Sequence, residues 1–245
     1  MAKQRHRRCQ VCAGASSQQL LIIHAMNLPL TGLPPPYVIA IDDDAGMLKS
    51  MDFLLKTERI QSRLFSGGPE FFAEVESHPE LLNGPGCILL DVRMPDMNGL
   101  EVFDKLISID DNLNMPVIFI TAHGDIALVT KVLKQGAVDF ITKPFSAEDL
   151  LLRLHQYFEI SRARYTRKAN IQSVHQRISQ LTERELFVME HLFEGLSNKE
   201  IAELLGNSVR TIELRRAAIY DKLNVKSAVE LARLLENAAW KKKTL

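Results

Sequence analysis

Six side chains in this 245-residue sequence could together handle a phosphoryl group: Asp42, Asp43 and Asp44 in one run, then Asp91, Thr121 and Lys143. Carboxylate oxygens suit Mg²⁺, a hard ion that keeps several waters and is usually held by a few carboxylates plus a phosphate. A hydroxyl and a fixed ammonium beside such an ion neutralise and orient a phosphoryl group, because phosphoryl transfer depends mainly on positioning and charge stabilisation. In that chemistry Asp91 is the nucleophile. The competing reading is plainer: the aspartate run caps a helix, Asp91 ends a strand and Lys143 is a solvated charge.

The elements that must position these groups decide between the two. Short apolar runs at 37–41, 62–65, 87–90, 117–121 and 138–142 read as strands, and between the first two Met47, Leu48, Met51, Leu54 and Leu55 form a helical stripe. Such alternation predicts an α/β doubly wound, five-stranded parallel sheet, with right-handed crossovers and any ligand site outside the carboxyl ends of the strands. The aspartate run follows the first strand, Asp91 the third and Lys143 the fifth, while Thr121 ends the fourth. That every strand but the second delivers a polar group to one edge weighs heavily against coincidence.

Beyond a polar stretch, Ser161 to Gln180, the pattern is helical without strands. Thr182 with Glu185, Ser197 with Glu200, and Ser227 with Glu230 have the spacing of capping boxes, and Gly195 and Gly206 fall where left-handed helix ends are wanted. Helices are expected near 183–194, 198–205, 209–223 and 228–238, an all-α four-helix domain whose short helix, three-residue turn and longer helix have the layout of a helix-turn-helix. In the longer helix Ile212, Ile219 and Leu223 recur at core spacing. That leaves Arg210, Glu213, Leu214 and Ala217 on another face, beside Thr211, able to meet base edges in a major groove. Lys199, Arg215, Arg216 and Lys222 are assigned to phosphates, and the charges at Arg233 and in the Lys241-Lys242-Lys243 tail to solvent.

Composition narrows the classes. With 46% hydrophobic and 24% charged residues the chain reads as globular, and no apolar run approaches the roughly 18 residues of a spanning helix. Three cysteines, Cys9, Cys12 and Cys87, make no disulfide framework, and the lone Cys9/Cys12 pair with His6 falls short of four zinc ligands. A cytoplasmic location is expected. Net charge is zero, yet residues 1–36 carry four basic and no acidic residues, 37–158 ten basic and nineteen acidic, and 159–245 sixteen basic and eleven acidic. An acidic module joined to a basic one suggests a metal or signalling site coupled to a polyanion binder. The expected divisions are a disordered extension at 1–36, an acidic α/β domain carrying the phosphoryl-handling edge at 37–159, a linker at 160–180 and a DNA-binding domain at 181–240.

The string Cys87-Ile-Leu-Leu-Asp91-Val-Arg-Met-Pro-Asp-Met-Asn-Gly99, with Ile41-Asp-Asp-Asp44, Phe119-Ile-Thr121-Ala-His-Gly124 and Phe140-Ile-Thr-Lys143-Pro144-Phe145, resembles the receiver domain of two-component response regulators of the FixJ/NarL type. Residues 180–237 resemble the LuxR-type helix-turn-helix of the same regulators, with Arg215 and Ala218 where many relatives have His and Asn. The resemblance implies Asp91 as phosphoacceptor, with Mg²⁺ held by Asp42, Asp43, Asp91 and the Arg93 backbone carbonyl. It also implies Thr121 and Lys143 on the phosphoryl oxygens, Thr121 and Phe140 as moving switch residues, and a cis Lys143–Pro144 bond. The implied partners are a sensor histidine kinase, double-stranded promoter DNA, RNA polymerase and a second copy of the chain, paired through the fifth strand and the helix before it. Turnover of an independent substrate is not expected, only slow hydrolysis of the chain's own aspartyl phosphate. Dehalogenase-type phosphatases place a second carboxylate two residues after the nucleophile, where this sequence has Arg93. The alternative function is a phosphorylation-independent DNA-binding regulator whose receiver serves only as a dimerisation scaffold.

Overall fold

Val38, Ala40, Cys87, Leu89, Ile118 and Ile120 pack into one apolar cluster, while Ile39, Ile41, Ile88, Leu90 and Phe119 pack into another. Successive strand residues point to opposite faces, so these apolar runs supply a core on both sides of one sheet. The computed structural model describes residues 32–110, 113–122, 133 and 136–241. Its strands are β1 (Tyr37–Ile41), β2 (Gln61–Phe65), β3 (Gly86–Asp91), β4 (Val117–Thr121) and β5 (Asp139–Thr142), all parallel in the order β2-β1-β3-β4-β5. The strands match the sequence expectation to within a residue at each end.

Helices α1 (Ala45–Thr57), α2 (Gly68–Ser77) and α3 (Gly99–Ile109) follow the first three strands, and a 3₁₀ turn, Pro79–Leu82, precedes β3. Met51 and Leu55 of α1 join the first cluster; Phe71, Phe72 and Val75 of α2 and Val102, Phe103 and Leu106 of α3 join the second. The chain reverses direction across the sheet between β1 and β3, which opens a crevice at their carboxyl ends.

After β5, α4 (Ala147–Ile178) runs without a break. The stretch 160–180 expected as a linker is therefore helical through Ile178, and it is anchored at both ends. Leu150, Leu154, Tyr157 and Phe158 pack on the sheet, Ser161 and Arg162 are buried, and Val174 and Ile178 belong to a third core; between 163 and 173 no side chain is buried. Periodicity missed this because the residues that anchor the middle of the helix are polar.

Contacts divide the chain into two units, Met1–Tyr165 and Thr166–Leu245. The second holds α5 (Glu183–Phe193), α6 (Asn198–Leu205), α7 (Val209–Leu223) and α8 (Ala228–Asn237) around Val188, Met189, Ile201, Ile212, Ile219, Leu223, Leu231 and Leu235. Thr182 and Ser197 make full capping boxes with Glu185 and Glu200. At α8 the box is split: Ser227 accepts from the Glu230 amide, but the Glu230 carboxylate accepts from Lys226 instead. Gly195 and Gly206 both take positive φ, and Ser208 caps α7. The expectations for residues 1–31, including Cys9, Cys12 and His6, for His123 and Gly124, for most of the helix before β5, and for Lys242 and Lys243 lie outside the described residues.

Candidate functional site

The apolar strands carry their polar termini to one edge. Asp42 and Asp91 are buried there, at 1% and 5% exposure, and Lys143 joins them: its Nζ donates to Asp42 Oδ2 at 2.8 Å and to Asp91 Oδ1 at 2.6 Å. The other Asp91 oxygen, Oδ2, accepts the Arg93 amide N–H at 2.6 Å. Thr121 is buried beside them, and its carbonyl accepts the Lys143 backbone N–H at 2.7 Å, which fixes the ends of β4 and β5 together. The Lys143–Pro144 bond is cis.

Burial pushes the Asp91 carboxyl above the usual carboxylate range, with the neighbouring Asp42 charge adding to it, against the opposing pull of Lys143 and the Arg93 amide. For Lys143 burial alone disfavours the ammonium, but the hydrogen bonds and charges of Asp42 and Asp91 outweigh it and hold its pKa up.

The aspartate run divides by role. Asp42 Oδ1 accepts the Asp44 amide, while Asp44 turns away as the N-cap of α1, accepting from Gly46 and Met47. Asp43 is exposed and lines an open cleft with Val92, Arg93, Met94, Pro95, Asn98 and Leu100. Among the described residues no three carboxylates or other ligating side chains converge as a metal cluster. The physical reason is visible: the Lys143 ammonium already bridges Asp42 and Asp91, and Asp43 faces the cleft. The donor set nonetheless fits a divalent cation, since three carboxylates against one ammonium leave two negative charges at an oxygen-rich edge.

Two contributors, both inside the string from Cys87 to Gly99, receive no role of their own from the sequence. Gly99 lies against the end of β3, where a Cβ would stand 2.2 Å from the Asp91 carbonyl oxygen, so only glycine permits this approach. Asn98 caps α3 in a full capping box with Glu101, at a spacing the sequence displays. Phe140 is half-buried against the Phe119 cluster, one residue into β5.

In the second unit Arg210, Glu213, Leu214 and Ala217 of α7 are exposed on one face, with Leu214 at 58%. Arg210 and Glu213 pair at 3.6 Å, and Thr211 Oγ1 meets Ser208 Oγ at 2.9 Å. Lys199 is exposed in the first turn of α6. Arg216 reaches Asn198 Oδ1 at 3.4 Å and lies over the Tyr220 ring, while Arg215 is half-buried with Nη1 lacking a hydrogen-bond partner. Lys222, expected on phosphate, is instead bound inside the unit: Nζ donates to both Glu185 oxygens, at 2.9 and 2.7 Å. Nothing in the sequence marks that pair, whose members are 37 residues apart.

Residues 38–155 match the family model of the response regulator receiver domain, and residues 179–235 that of the bacterial regulatory proteins of the luxR family. The transcriptional regulatory protein FixJ of Bradyrhizobium diazoefficiens is 35% identical over 202 residues, 82% of this chain and 95% of that one. The response regulator protein TmoT of Ectopseudomonas mendocina is 33% identical over 199 residues, 81% and 87% of the two chains. Among solved structures, the response regulator StyR superposes with a TM-score of 0.68 at 34% identity, covering 82% of this chain and 98% of its own. Full-length FixJ from B. japonicum gives 0.50 at 33%, covering 84% and 98%.

Proposed function

The chain belongs to the response regulators that join a receiver domain to a LuxR-type DNA-binding domain in transcription regulation, and on that premise we propose that Asp91 accepts a phosphoryl group from a sensor histidine kinase and that the phosphorylated chain acts as a dimer on promoter DNA. The observation that supports this most is the Lys143 ammonium shared by Asp42 and Asp91 at the strand ends, a cation already aimed at the attacking carboxylate.

Receivers generally use Mg²⁺ at the phosphorylation site; Asp42, Asp43, Asp91 and the Arg93 carbonyl would hold it here, and when bound it supplies charge neutralisation for the phosphoryl oxygens. An Asp91 oxygen attacks the phosphorus of a kinase phosphohistidine. The O–P bond forms as the N–P bond breaks, and the imidazole nitrogen leaves with the electron pair. Lys143 then holds a phosphoryl oxygen, and the Thr121 hydroxyl donates to another. The added charge draws Thr121 inward and lets Phe140 rotate, a local event that biases the pairing surface. Water slowly hydrolyses the aspartyl phosphate, and no independent substrate is turned over. In the second unit the exposed α7 face reads bases, while Lys199, Arg215 and Arg216 meet phosphates and dimerisation raises affinity through effective concentration. RNA polymerase is a further contact, and the cytoplasm is the setting; among the described residues no helix is long and apolar enough to cross a membrane.

Intact-mass spectrometry after incubation with Mg²⁺ and a small phosphodonor tests the reading. One phosphoryl adduct is expected, absent without Mg²⁺ and absent in Asp91→Asn, with native size doubling in step. No adduct from either that donor or a phosphorylated kinase would refute it in favour of a phosphorylation-independent DNA binder.

A further inference from the structure

The last turn of α4 holds the carbonyl end of α7. Arg177 Nη1 donates to the Leu223 carbonyl at 2.6 Å, and its Nε reaches back to the Ser173 carbonyl of its own helix at 3.5 Å. Leu223 is the final residue of α7, followed by Asn224 in the left-handed conformation. The carbonyls of a last helical turn lack intrahelical partners and carry partial negative charge, so a guanidinium there satisfies an orphan acceptor and a helix dipole together. His175, two residues earlier, meets the Ala238 carbonyl just past α8 at 3.0 Å and stands edge-on to Trp240.

We propose that Arg177 is a positioning residue for DNA reading, fixing the far end of α7 so that its base-facing residues enter the groove in register. This rests on the reading of α7 as the helix that meets base edges. Arg210 lies thirteen residues from Leu223, or about 20 Å along the axis. A swing of about 5° at Leu223 would carry Arg210 some 1.7 Å, more than the roughly 0.5 Å window of a good hydrogen bond. Ile212, Ile219 and Leu223 hold α7 on its core, but apolar packing is non-directional. Two side-chain hydrogen-bond restraints act at this end among the described residues, Arg177 on the Leu223 carbonyl and Glu185 of α5 on Lys222.

The test compares full-length wild type with Arg177→Ala, Arg177→Gln and Arg177→Lys on two fluorescent duplexes. One is selected by the wild type from a random pool, and the other has the same composition scrambled. Loss of one charge-assisted hydrogen bond predicts about a ten-fold fall in the preference of Arg177→Ala and Arg177→Gln for the selected duplex. Binding to the scrambled duplex should stay within about two-fold, because phosphate contacts tolerate a small tilt. Arg177→Lys, which can still donate to Leu223, should recover most of the preference. Equal weakening on both duplexes would overturn the proposal in favour of general loss of fold or charge, and an unchanged preference would overturn it outright. Wild type with no preference in any selected pool would remove the base-reading role itself, a failure distinct from either of the others.

Discussion

Ser161→Ala separates two opposite views of the middle of α4. Were Ser161 part of a solvated linker, alanine would be neutral or stabilising by up to about 0.5 kcal/mol, because alanine is the better helix former. In the structure Ser161 is 0% exposed; its hydroxyl accepts the Gly86 amide at 2.8 Å and donates to the Asn114 carbonyl at 2.9 Å, tying α4 to the start of β3 and to the bend that precedes β4. Alanine leaves the Gly86 N–H with no acceptor and the Asn114 carbonyl short of one donor. A buried donor or acceptor stripped of its partner costs about 1–3 kcal/mol, and the carbonyl can be partly relieved, so the expected loss is about 2–4 kcal/mol. With a urea m-value of roughly 1–2 kcal/mol/M the midpoint should fall by about 2 M. The lone tryptophan, Trp240, lies in the second unit, so its fluorescence follows that unit, while far-ultraviolet circular dichroism follows both. The expected shift appears in the dichroism transition that fluorescence does not share. Exposed Ser173→Ala on the same helix is the control. A Ser161→Ala midpoint equal to or above that of Ser173→Ala would refute the tether.

Two further outcomes follow from the ion pairs. Lys143→Met leaves Asp42 and Asp91 buried without their cation and should cost the receiver about 3–5 kcal/mol; added Mg²⁺ should restore part of that stability, and thermal melts with and without the ion check both statements. Glu185 has its pKa lowered, first by the Lys222 hydrogen bond and then by the Thr182 groups. A carboxyl depressed in the folded state contributes stability above its unfolded value, near 4.5, and loses it as pH falls through the lower folded value. Acid titration of Trp240 fluorescence should therefore show wild type losing stability below that range while Glu185→Gln, already weaker at neutral pH, changes less.

The strands and the four helices of the second unit were legible because each rests on apolar periodicity or on a local cap such as Thr182 with Glu185. The acidic edge was legible for a similar reason: a strand end fixes where the next residue must lie. What escaped depended on polar partners far apart in sequence. Ser161 looks like one more hydrophilic residue until the Gly86 amide is known to face it, and Lys222 looks like a free cation until Glu185 meets it. The aspartate run was read as one cluster, yet three adjacent residues cannot point the same way, so Asp42 enters the core, Asp43 the cleft and Asp44 the helix cap.

The unburied stretch of α4, residues 163–173, is eleven residues long. Isolated helices shorter than about 12–15 residues are marginal in water, so these three turns draw their order from what grips them: Ser161 and Arg162 on one side, Val174 and Ile178 on the other. Melting of either core releases the grip at one end, and the turns between revert toward coil. The segment also carries Arg164, Arg167 and Lys168 in its sequence, bonds that trypsin cuts only once the backbone has opened. Resistance at these bonds thus registers whether both cores are intact, and damage to either one exposes the chain to severance between them.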